Sequence, residues 1–366
     1  MFHRLKKYQD IIFLITISII IYKVIQNYQV LFSVLIKMNV VLTPFFWAFG
    51  MAFLLNPLMK KIETYKGMSR TRTLIVMYTL LIGLLSLFVI IVTPRMISSV
   101  TEIIVNMPRY YNRLQMLLSS VLESRLISDT DVNEFLSTST RKLADSVFDY
   151  LNHSATKMVS RVIDLTSAVL QFVVGLIISI YMLYDKERFQ DSLKKLLYYL
   201  FERENAKKII EWGSITNSVF TDFFIGKSLD SLIIGILCGI GLSIIGTPYP
   251  FLLALIVGIF NMIPYVGPFI GAVPAVFFTL LSDPLKALWV ILFIFVLQQF
   301  DGNILGPKIL GDRLGVRPIY VMLAIFVGGG FFGIFGMLIG VPVFKLISIA
   351  LSKLLEEKDV LQETKG

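Results

Sequence analysis

The chain of 366 residues contains one cysteine, Cys238, and two histidines, His3 and His153. A single cysteine cannot form a disulfide bond within the chain. Two histidines this far apart argue against a zinc site, because zinc is held by clustered His and Cys side chains. The sequence therefore predicts no metal site and no cofactor, and it places both histidines on the surface.

Charged residues are also scarce. They make up 16% of the chain, whereas 56% of the residues are hydrophobic. Soluble globular domains average about 25% charged and about 45–50% apolar residues. This shortage of charge excludes a disordered chain and is atypical of a soluble enzyme. The composition predicts an all-α polytopic membrane protein, since a helix satisfies its own backbone in lipid.

The charges that are present carry a net value of +9. In a soluble protein this excess could indicate nucleic acid binding. Here the basic residues lie beside apolar runs, where they face lipid headgroups and set the topology. We therefore expect the lipid bilayer to be a partner and nucleic acid not to be one.

Long apolar runs account for most of the sequence. A helix needs about 20 apolar residues to cross the roughly 30 Å hydrocarbon core. Runs of this character lie at residues 11–24, 30–58, 74–92, 162–184, 229–245 and 285–300. Two further stretches, 251–281 and 319–351, are apolar but broken. We expect about eight membrane segments, including two re-entrant helical hairpins.

Basic residues between the runs predict the topology. Three lie at the N-terminus, five in residues 59–73 and eight in residues 185–227. The positive-inside rule places these segments and both termini in the cytoplasm of a multi-pass plasma-membrane protein. The predicted regions are three N-terminal spans (1–93), an extracytoplasmic amphipathic segment (94–161), a fourth span (162–184), cytoplasmic amphipathic helices (185–227), a core of two helix-plus-hairpin repeats (228–351) and a cytoplasmic tail (352–366).

Each broken stretch has an evident bend. The first bend is NMIPYVGP at residues 261–268, and the second is VGGGFFG at residues 327–333. The returning arms, GPFIGAVPAVF and GMLIGVPVF, share an Ile-Gly step followed by Val-Pro, which suggests an inverted repeat. The bend residues we single out are Pro264, Gly267, Pro268, Gly328, Gly329 and Gly330.

Paired broken helices indicate transport. Backbone groups left unpaired in hydrocarbon are costly, so such breaks persist where protein or a water-filled cavity covers them. Interrupted apolar segments in two halves of a chain are typical of a transporter's binding site. Because the chain has no GxxxxGK[ST] motif, the pattern favours a secondary transporter that works by alternating access at the two hairpins.

Polar residues beside the apolar spans are the candidate substrate-binding or ion-coupling residues: Asp301, Asn303, Gln298, Gln299, Asn261 and Asp230. An ionisable group near the membrane interior is a functional candidate by default. Asp301 is the foremost coupling carboxylate. Its alternative is to mark a cytoplasmic helix end and pair with Lys308 or Arg313. For Asp230 the alternative is a solvated carboxylate in a first helical turn, and Asn261 can satisfy the bend itself.

Other patterns carry less function. The GxGxxG match at residues 328–333 follows no strand, so it does not indicate a dinucleotide site. The GxxxG matches at 235–239 and 336–340 indicate close helix packing. No nucleophile, base and acid occur together in an apolar span, so we expect no catalytic residue and no enzyme. A heptad stripe at residues 97–121 either packs on its own chain or engages an outside partner, as in a non-transporting scaffold.

Three blocks in the C-terminal half resemble the autoinducer-2 exporter family. They are GKSLDSLIIGILCGIGLSIIGTPYPFLLALIVGIFNMIPYVGPFIGAVP at 226–274, QQFDGNILGPKILGDRLGVRP at 298–318 and VGGGFFGIFGMLIGVP at 327–342. The N-terminal part fits more loosely, with LLNPLMKKIE closing the second span. The family often has Glu where this chain has Asp301, so the ion preference of relatives does not carry over.

The resemblance implies a mostly helical transporter that assembles as a homo-oligomer. Family members are linked to export of the signalling molecule autoinducer-2, and others to exchange of sodium or lithium for protons. The leading expectation is therefore export of a small polar solute such as autoinducer-2. The alternatives are a sodium(lithium)/proton antiporter and, in another class, a membrane scaffold.

Overall fold

A computed structural model describes residues 28–124, 165–310 and 317–363, together with a few isolated positions. The predicted first span at 11–24, most of the second half of the 94–161 segment, His3, His153 and Arg313 lie outside the described residues. Every element described is helical, as the composition predicts.

The elements follow one another closely along the chain. They are α1 (Tyr28–Lys66), α2 (Arg70–Ser124), α3 (Leu165–Tyr184), α4 (Lys186–Leu200), α5 (Arg203–Ile245), α6 (Pro250–Phe260), α7 (Val266–Ser282), α8 (Pro284–Phe300), a π-helical turn (Asp301–Leu305), α9 (Gly306–Leu310) and α10 (Pro318–Glu363).

Five of the described helices are long and apolar enough to cross a membrane. These segments are Val41–Lys66, Arg70–Leu117, Arg203–Ile245, Pro284–Ile309 and Pro318–Leu355. Three shorter apolar helices accompany them, at Gln171–Tyr184, Pro250–Phe260 and Val266–Ser282. The all-α, multi-pass class is therefore confirmed, whereas membrane re-entry and the number of spans remain predictions.

Two helices continue past the limits that composition indicates. α2 contains 55 residues and runs through Pro94 and Pro108, so the apolar run at 74–92 and the polar stretch after it form one helix. α5 contains 43 residues and joins the end of the 185–227 segment to the run at 229–245. A helix of 43 residues is about 64 Å long, twice the hydrocarbon thickness. The change in composition marks a change of surroundings and not a helix end.

The described residues form two compact units, of which the first comprises residues 28–56 and 165–186. Its helices α1 and α3 pack closely where Gly175 faces α1. A Cβ atom on Gly175 would lie 2.9 Å from the carbonyl oxygen of Pro44. Trp47 contacts Phe172 edge-on, with ring centroids 6.0 Å apart. The missing side chain at residue 175 is what permits this approach.

The second unit comprises residues 57–124, 187–310 and 317–363. In it α6 packs against α5 through small residues. A Cβ atom on Gly235 would lie 3.2 Å from the Cα of Gly258, and one on Gly239 would lie 3.3 Å from the Cβ of Ala254. The first GxxxG pattern therefore mediates close helix packing, as expected.

The helix α10 folds back on itself. Gly333 has φ 60° and ψ −142°, which is not helical. A Cβ atom on Gly340 would lie 2.4 Å from the carbonyl oxygen of Ala324. In a straight helix, residues 16 apart would be separated by about 24 Å. The two arms of α10 are therefore antiparallel neighbours, and the second GxxxG pattern lies between them.

The stripe on α2 packs on its own chain. Val100, Met107, Tyr111 and Leu114 contact the largest apolar core of the second unit, which contains residues of α5, α6, α7 and α8. Ile103 and Tyr110, one position before stripe residues, are buried in that core. The shift reflects the 3.6-residue period of a straight helix, which drifts from a 3.5-residue repeat.

Candidate functional site

A buried polar cluster lies where α5, the end of α6 and the π-helical turn meet. The Lys227 ammonium donates to Asp230 Oδ2 over 2.5 Å. Asn261 Nδ2 donates to the same oxygen over 3.2 Å. The Asp301 carboxyl group lies close enough to interact with Asp230 and Asn261, and it is also near the charge of Lys227. We name these four residues the polar cluster.

The buried face of α5 positions the first two members. Lys227 and Asp230 are three residues apart, a spacing that puts both side chains on one face of a helix. The same face carries Phe223 and Ile234, which are fully buried. The apolar neighbours keep water from the ion pair, so its two charges are satisfied by each other and by the rest of the polar cluster.

The bend between α6 and α7 positions Asn261. This residue ends α6, and its backbone N–H still donates to the Val257 carbonyl. Tyr265 then takes a left-handed backbone with φ 62°. A Cβ atom on Gly267 would lie 1.8 Å from the Phe260 carbonyl oxygen, so this close reversal needs glycine. The tight bend leaves the Asn261 side chain facing α5.

Asp301 ends α8 and begins a π-helical turn. The Asp301 carbonyl accepts the backbone N–H of Gly306, five residues later, which widens the helix between α8 and α9. Such turns occur frequently at functional sites. The Asp301 side chain is 8% exposed and belongs to the second unit's interior. The predicted location at the end of α8 is therefore correct, and the carboxyl group continues the buried face of α8 that carries Ile294 and Leu297.

The polar cluster contains oxygen atoms without a hydrogen-bond donor among the described residues. They are Asp230 Oδ1, Asn261 Oδ1 and Asp301 Oδ1, and the neighbouring Ser231 Oγ is also unpartnered. Two carboxylates and one ammonium give a formal charge of −1. Adjacent carboxylates repel each other and are stabilised when a proton or a cation lies between them. The arrangement can therefore hold a proton, a small cation or a ligand rich in hydrogen-bond donors.

The other predicted polar residues lie apart from this arrangement. Gln299 and Asn303 are exposed, and Asn303 Nδ2 donates to the Gln299 carbonyl and Oε1 over 2.9 and 3.0 Å. Gln298 is half-buried, with an Nε2 atom that has no partner within the described residues. Gln298 precedes Asp301 by one helical turn, so it lies at the edge of the polar cluster.

The structure also bears on the alternatives for two carboxylates. Asp230 is 0% exposed and lies in the middle of α5, so a solvated position in a first turn is wrong. For Asp301, Lys227 is a basic group that lies near it among the described residues, whereas Arg313 lies outside them. Lys308 is exposed on α9. Asn261 both ends a helix and joins the polar cluster, and the two roles are compatible.

The second bend carries no polar side chain of this kind in the part of the chain that is described. A Cβ atom on Gly328 would lie 2.1 Å from the Gly336 carbonyl oxygen, and one on Gly329 would touch Met337. Gly330 has open space around it. Apolar residues of both bends pack together with Phe223 of α5, so this apolar contact lies next to the polar cluster. The residues are Phe260, Ile263 and Val266 at the first bend and Val321, Ile325, Met337, Leu338 and Val341 in the arms of the second.

Sequence reasoning missed Lys227 and Ser231. Lys227 counted as the last basic residue of a cytoplasmic segment, because a lysine before an apolar run is normally a topology signal. The signal that could have identified it is the K-x-x-D spacing directly before a run of small and apolar residues. Within the described residues no group of three or more His, Cys, Asp or Glu could hold a metal ion, so Asn and Ser are the polar additions to the two carboxylates.

Several spanning helices, two bends and a buried polar cluster define a multi-pass membrane protein of the transporter class. The chain belongs to the AI-2E transporter family, whose profile matches residues 11–356. The family resemblance seen in the sequence is therefore confirmed, and a role in membrane transport follows from it. Members of this family are transporters and not enzymes.

Three relatives illustrate the range of the family. Putative transport protein YueF of Bacillus subtilis is 32% identical over 81% of this chain and 79% of its own. YrrI of the same organism, named in the same way, is 31% identical over 78% of each chain. AI-2 transport protein TqsA of Escherichia coli K12 is 22% identical over 86% of each chain.

Proposed function

We propose that this protein is a secondary transporter that exports a small polar solute such as autoinducer-2, with the polar cluster as its binding or coupling site. The observation that carries the proposal is that Asp230, Asn261 and Asp301 each have a buried oxygen without a donor among the described residues, beside a helix bend. Buried polar atoms without partners are rare in folded proteins and call for a ligand. The printed name of TqsA, an AI-2 transport protein, supports the choice of solute.

Alternating access at the two hairpins is part of this proposal. Apolar residues from the bend at 261–265 pack against the arms on both sides of Gly333. Movement of one hairpin against the other would change the surroundings of Asn261, which the first hairpin contributes to the polar cluster. Access to the cluster would then depend on which way the bends are packed.

The second candidate function is exchange of sodium or lithium for protons. Three donor-free oxygens with a formal charge of −1 suit a small monovalent cation, since hard cations take oxygen ligands. The same group of atoms can release the cation when a proton enters. Coupled solute export and cation exchange differ in whether a solute moves with the ion.

The proposed topology places both termini in the cytoplasm of a plasma-membrane protein. Side-chain contacts support it by joining residues assigned to the same side: Arg70 with Glu187 and Glu211 with Lys353 on the cytoplasmic side, and Tyr110 with Tyr249 outside. The packing of the α2 stripe on its own chain favours a transporter over a scaffold that needs this stripe for a partner. Assembly as a homo-oligomer remains a prediction from the resemblance.

The proposal is tested by flux in proteoliposomes that contain only the purified protein. Vesicles are loaded with autoinducer-2 or with sodium, and a proton or sodium gradient is imposed. We expect gradient-driven flux in the wild type and its loss in Asp301→Asn, which removes a charge but keeps the side-chain size. Asp191→Asn is the matched control, because Asp191 is an exposed helical carboxylate in a weak surface pair with Lys194.

The outcomes separate the two candidates. Movement of solute that needs the cation gradient supports coupled export. Cation–proton exchange with every solute left out supports the antiporter. Folded wild-type protein that moves neither solute nor cation would contradict both, and equal gradient-driven flux in Asp301→Asn would remove the coupling role from the polar cluster.

A further inference from the structure

Lys227 is unusual among the basic residues that the structure describes because its ammonium is buried. The side chain is 8% exposed, and its partner Asp230 is 0% exposed. Removing an ammonium from water is costly unless a close counter-ion compensates it. A lysine that served only as a topology signal would keep its charge at the membrane surface. The position of Lys227 therefore calls for a role inside the polar cluster.

The charge balance around Lys227 is simple. Asp230 accepts its hydrogen bond through one oxygen, and among the described residues the charged groups that act on Asp301 are Lys227 and Asp230. Two negative charges and one positive charge leave −1. Without Lys227, the same oxygens would carry −2. The lysine thus decides how much positive charge the remaining oxygens can accept.

The donor-free oxygens show where an occupant would bind. Asp230 Oδ1, Asn261 Oδ1 and Asp301 Oδ1 have no donor within the described residues, and each belongs to a side chain at least nine-tenths buried. Oxygen ligands suit sodium, lithium, magnesium and calcium alike. Ligand type therefore does not discriminate among these ions, and the charge of the cluster must do so.

We propose that Lys227 is a tethered counter-cation that holds the polar cluster at a charge of −1 and so selects one monovalent cation or proton over a divalent cation. This inference rests on the proposed function, in which the polar cluster binds a coupling cation. The ammonium occupies one side of Asp230, and the incoming ion takes the oxygens that face away from it. Two positive charges in addition to Lys227 would exceed the charge that the two carboxylates can neutralise.

The test is cation-dependent thermal stabilisation of the purified protein in detergent. A ligand at concentration c that binds the folded state stabilises it by RT ln(1 + c/Kd), so the unfolding midpoint rises once the ligand concentration exceeds Kd. Sodium, lithium and calcium chlorides are titrated at constant ionic strength against choline chloride. We expect the wild type to respond to sodium or lithium and not to calcium. Lys227→Met has a side chain of similar length without the charge. It should respond to calcium at a concentration at least about tenfold below any concentration at which the wild type responds, because one nearby positive charge has been removed.

A second pair of variants keeps the inference testable if Lys227→Met does not fold. Asp301→Asn leaves a neutral pair of Lys227 and Asp230, and should lose the monovalent response. Lys227→Met combined with Asp301→Asn restores −1, and should regain the monovalent response without gaining the calcium response. Lys195→Met is the control, since Lys195 is exposed on α4 and should behave as the wild type does.

Several results would overturn the inference. They are a calcium response in the wild type equal to that of Lys227→Met, a folded Lys227→Met without a calcium response, or a double variant that fails to regain the monovalent response. The proposed transport function and the inference about Lys227 can be contradicted independently of each other. Cation binding that follows the charge rule without any flux would contradict the proposed function alone, whereas flux without any cation response would contradict this inference alone.

Discussion

The bend between α6 and α7 and the bend inside α10 use the same backbone device but different side chains. In each, one arm returns so closely that glycine is needed, with Gly267 against Phe260 and Gly328 against Gly336. The first bend then presents Asn261 to a buried ion pair. The second presents phenylalanines, and Phe331, Phe332 and Phe335 are 75 to 80% exposed.

The difference shows that a broken apolar helix has two separate consequences. At both bends, glycine allows the two arms to approach closely after the chain reverses direction. A binding site arises only where a neighbouring helix brings charge to the bend, as α5 does with Lys227 and Asp230. The second bend shares the close glycine contacts of the first and lacks such a partner among the described residues, so its contacts are apolar.

The largest difference in stability should be between a variant that removes a charge at the first bend and a variant at the second bend. Asp230→Ala removes the carboxylate that accepts the hydrogen bond of the buried Lys227, and we expect a loss of about 3–5 kcal/mol in the free energy of unfolding. Phe332→Ala at the second bend removes a side chain that is 77% exposed, and should change stability by no more than about 0.5 kcal/mol. Denaturant titration in detergent measures both. Similar losses in the two variants would contradict the contrast.

A smaller effect should be shared by both bends, because it concerns the backbone. Gly267→Ala and Gly328→Ala each place a methyl group against a carbonyl oxygen, and overpacking of this kind costs about 1–3 kcal/mol. Gly330→Ala is the matched control, since nothing lies within 4 Å of its added methyl group. The unfolding midpoints of the three variants provide the measurement. A Gly330→Ala variant as unstable as the other two would show that helix geometry, and not close approach, requires these glycines.

The smallest expected effect concerns a hydrogen bond that anchors the first hairpin to α2. Tyr249 precedes α6, and its hydroxyl lies 2.9 Å from that of Tyr110 on α2. Tyr110→Phe removes one buried hydrogen bond and keeps the ring contact with Phe278, for an expected loss of about 0.5–1.5 kcal/mol. Hydrogen exchange should show faster opening at the start of α6 and unchanged exchange in α10. Equal acceleration in both hairpins would contradict separate anchoring.

The sequence allowed much of the architecture to be predicted. Apolar runs identified the described helices that are long and apolar enough to cross a membrane. Clustered Gly and Pro placed the interruptions near residues 261–268 and 327–333, because several such residues together weaken a helix, whereas the isolated Pro94 and Pro108 do not end α2. The helix limits were harder to predict. α2 and α5 continue through polar sequence, since amphipathic segments keep a helical backbone after the apolar run ends.

For the candidate site, the sequence identified residue types but not their grouping. Asp230, Asn261 and Asp301 were all singled out, and they belong to one polar cluster. Gln299 and Asn303 had the same apparent claim, yet they are exposed and bonded to each other. The buried face of α8 separates the two outcomes, because Asp301 continues the line of Val290, Ile294 and Leu297, whereas Gln299 and Asn303 lie on the exposed face.

What the sequence determined by itself is the class of structure: a helical, multi-pass chain with two broken segments, since hydrophobic length and helix-breaking residues act locally. Only the tertiary structure decided that Lys227 is buried and that it shares Asp230 with Asn261, 31 residues further along the chain. Charge neutralisation is a property of side chains brought together in space. The function of a lysine before an apolar run therefore depends on whether the fold leaves it in water or against a carboxylate.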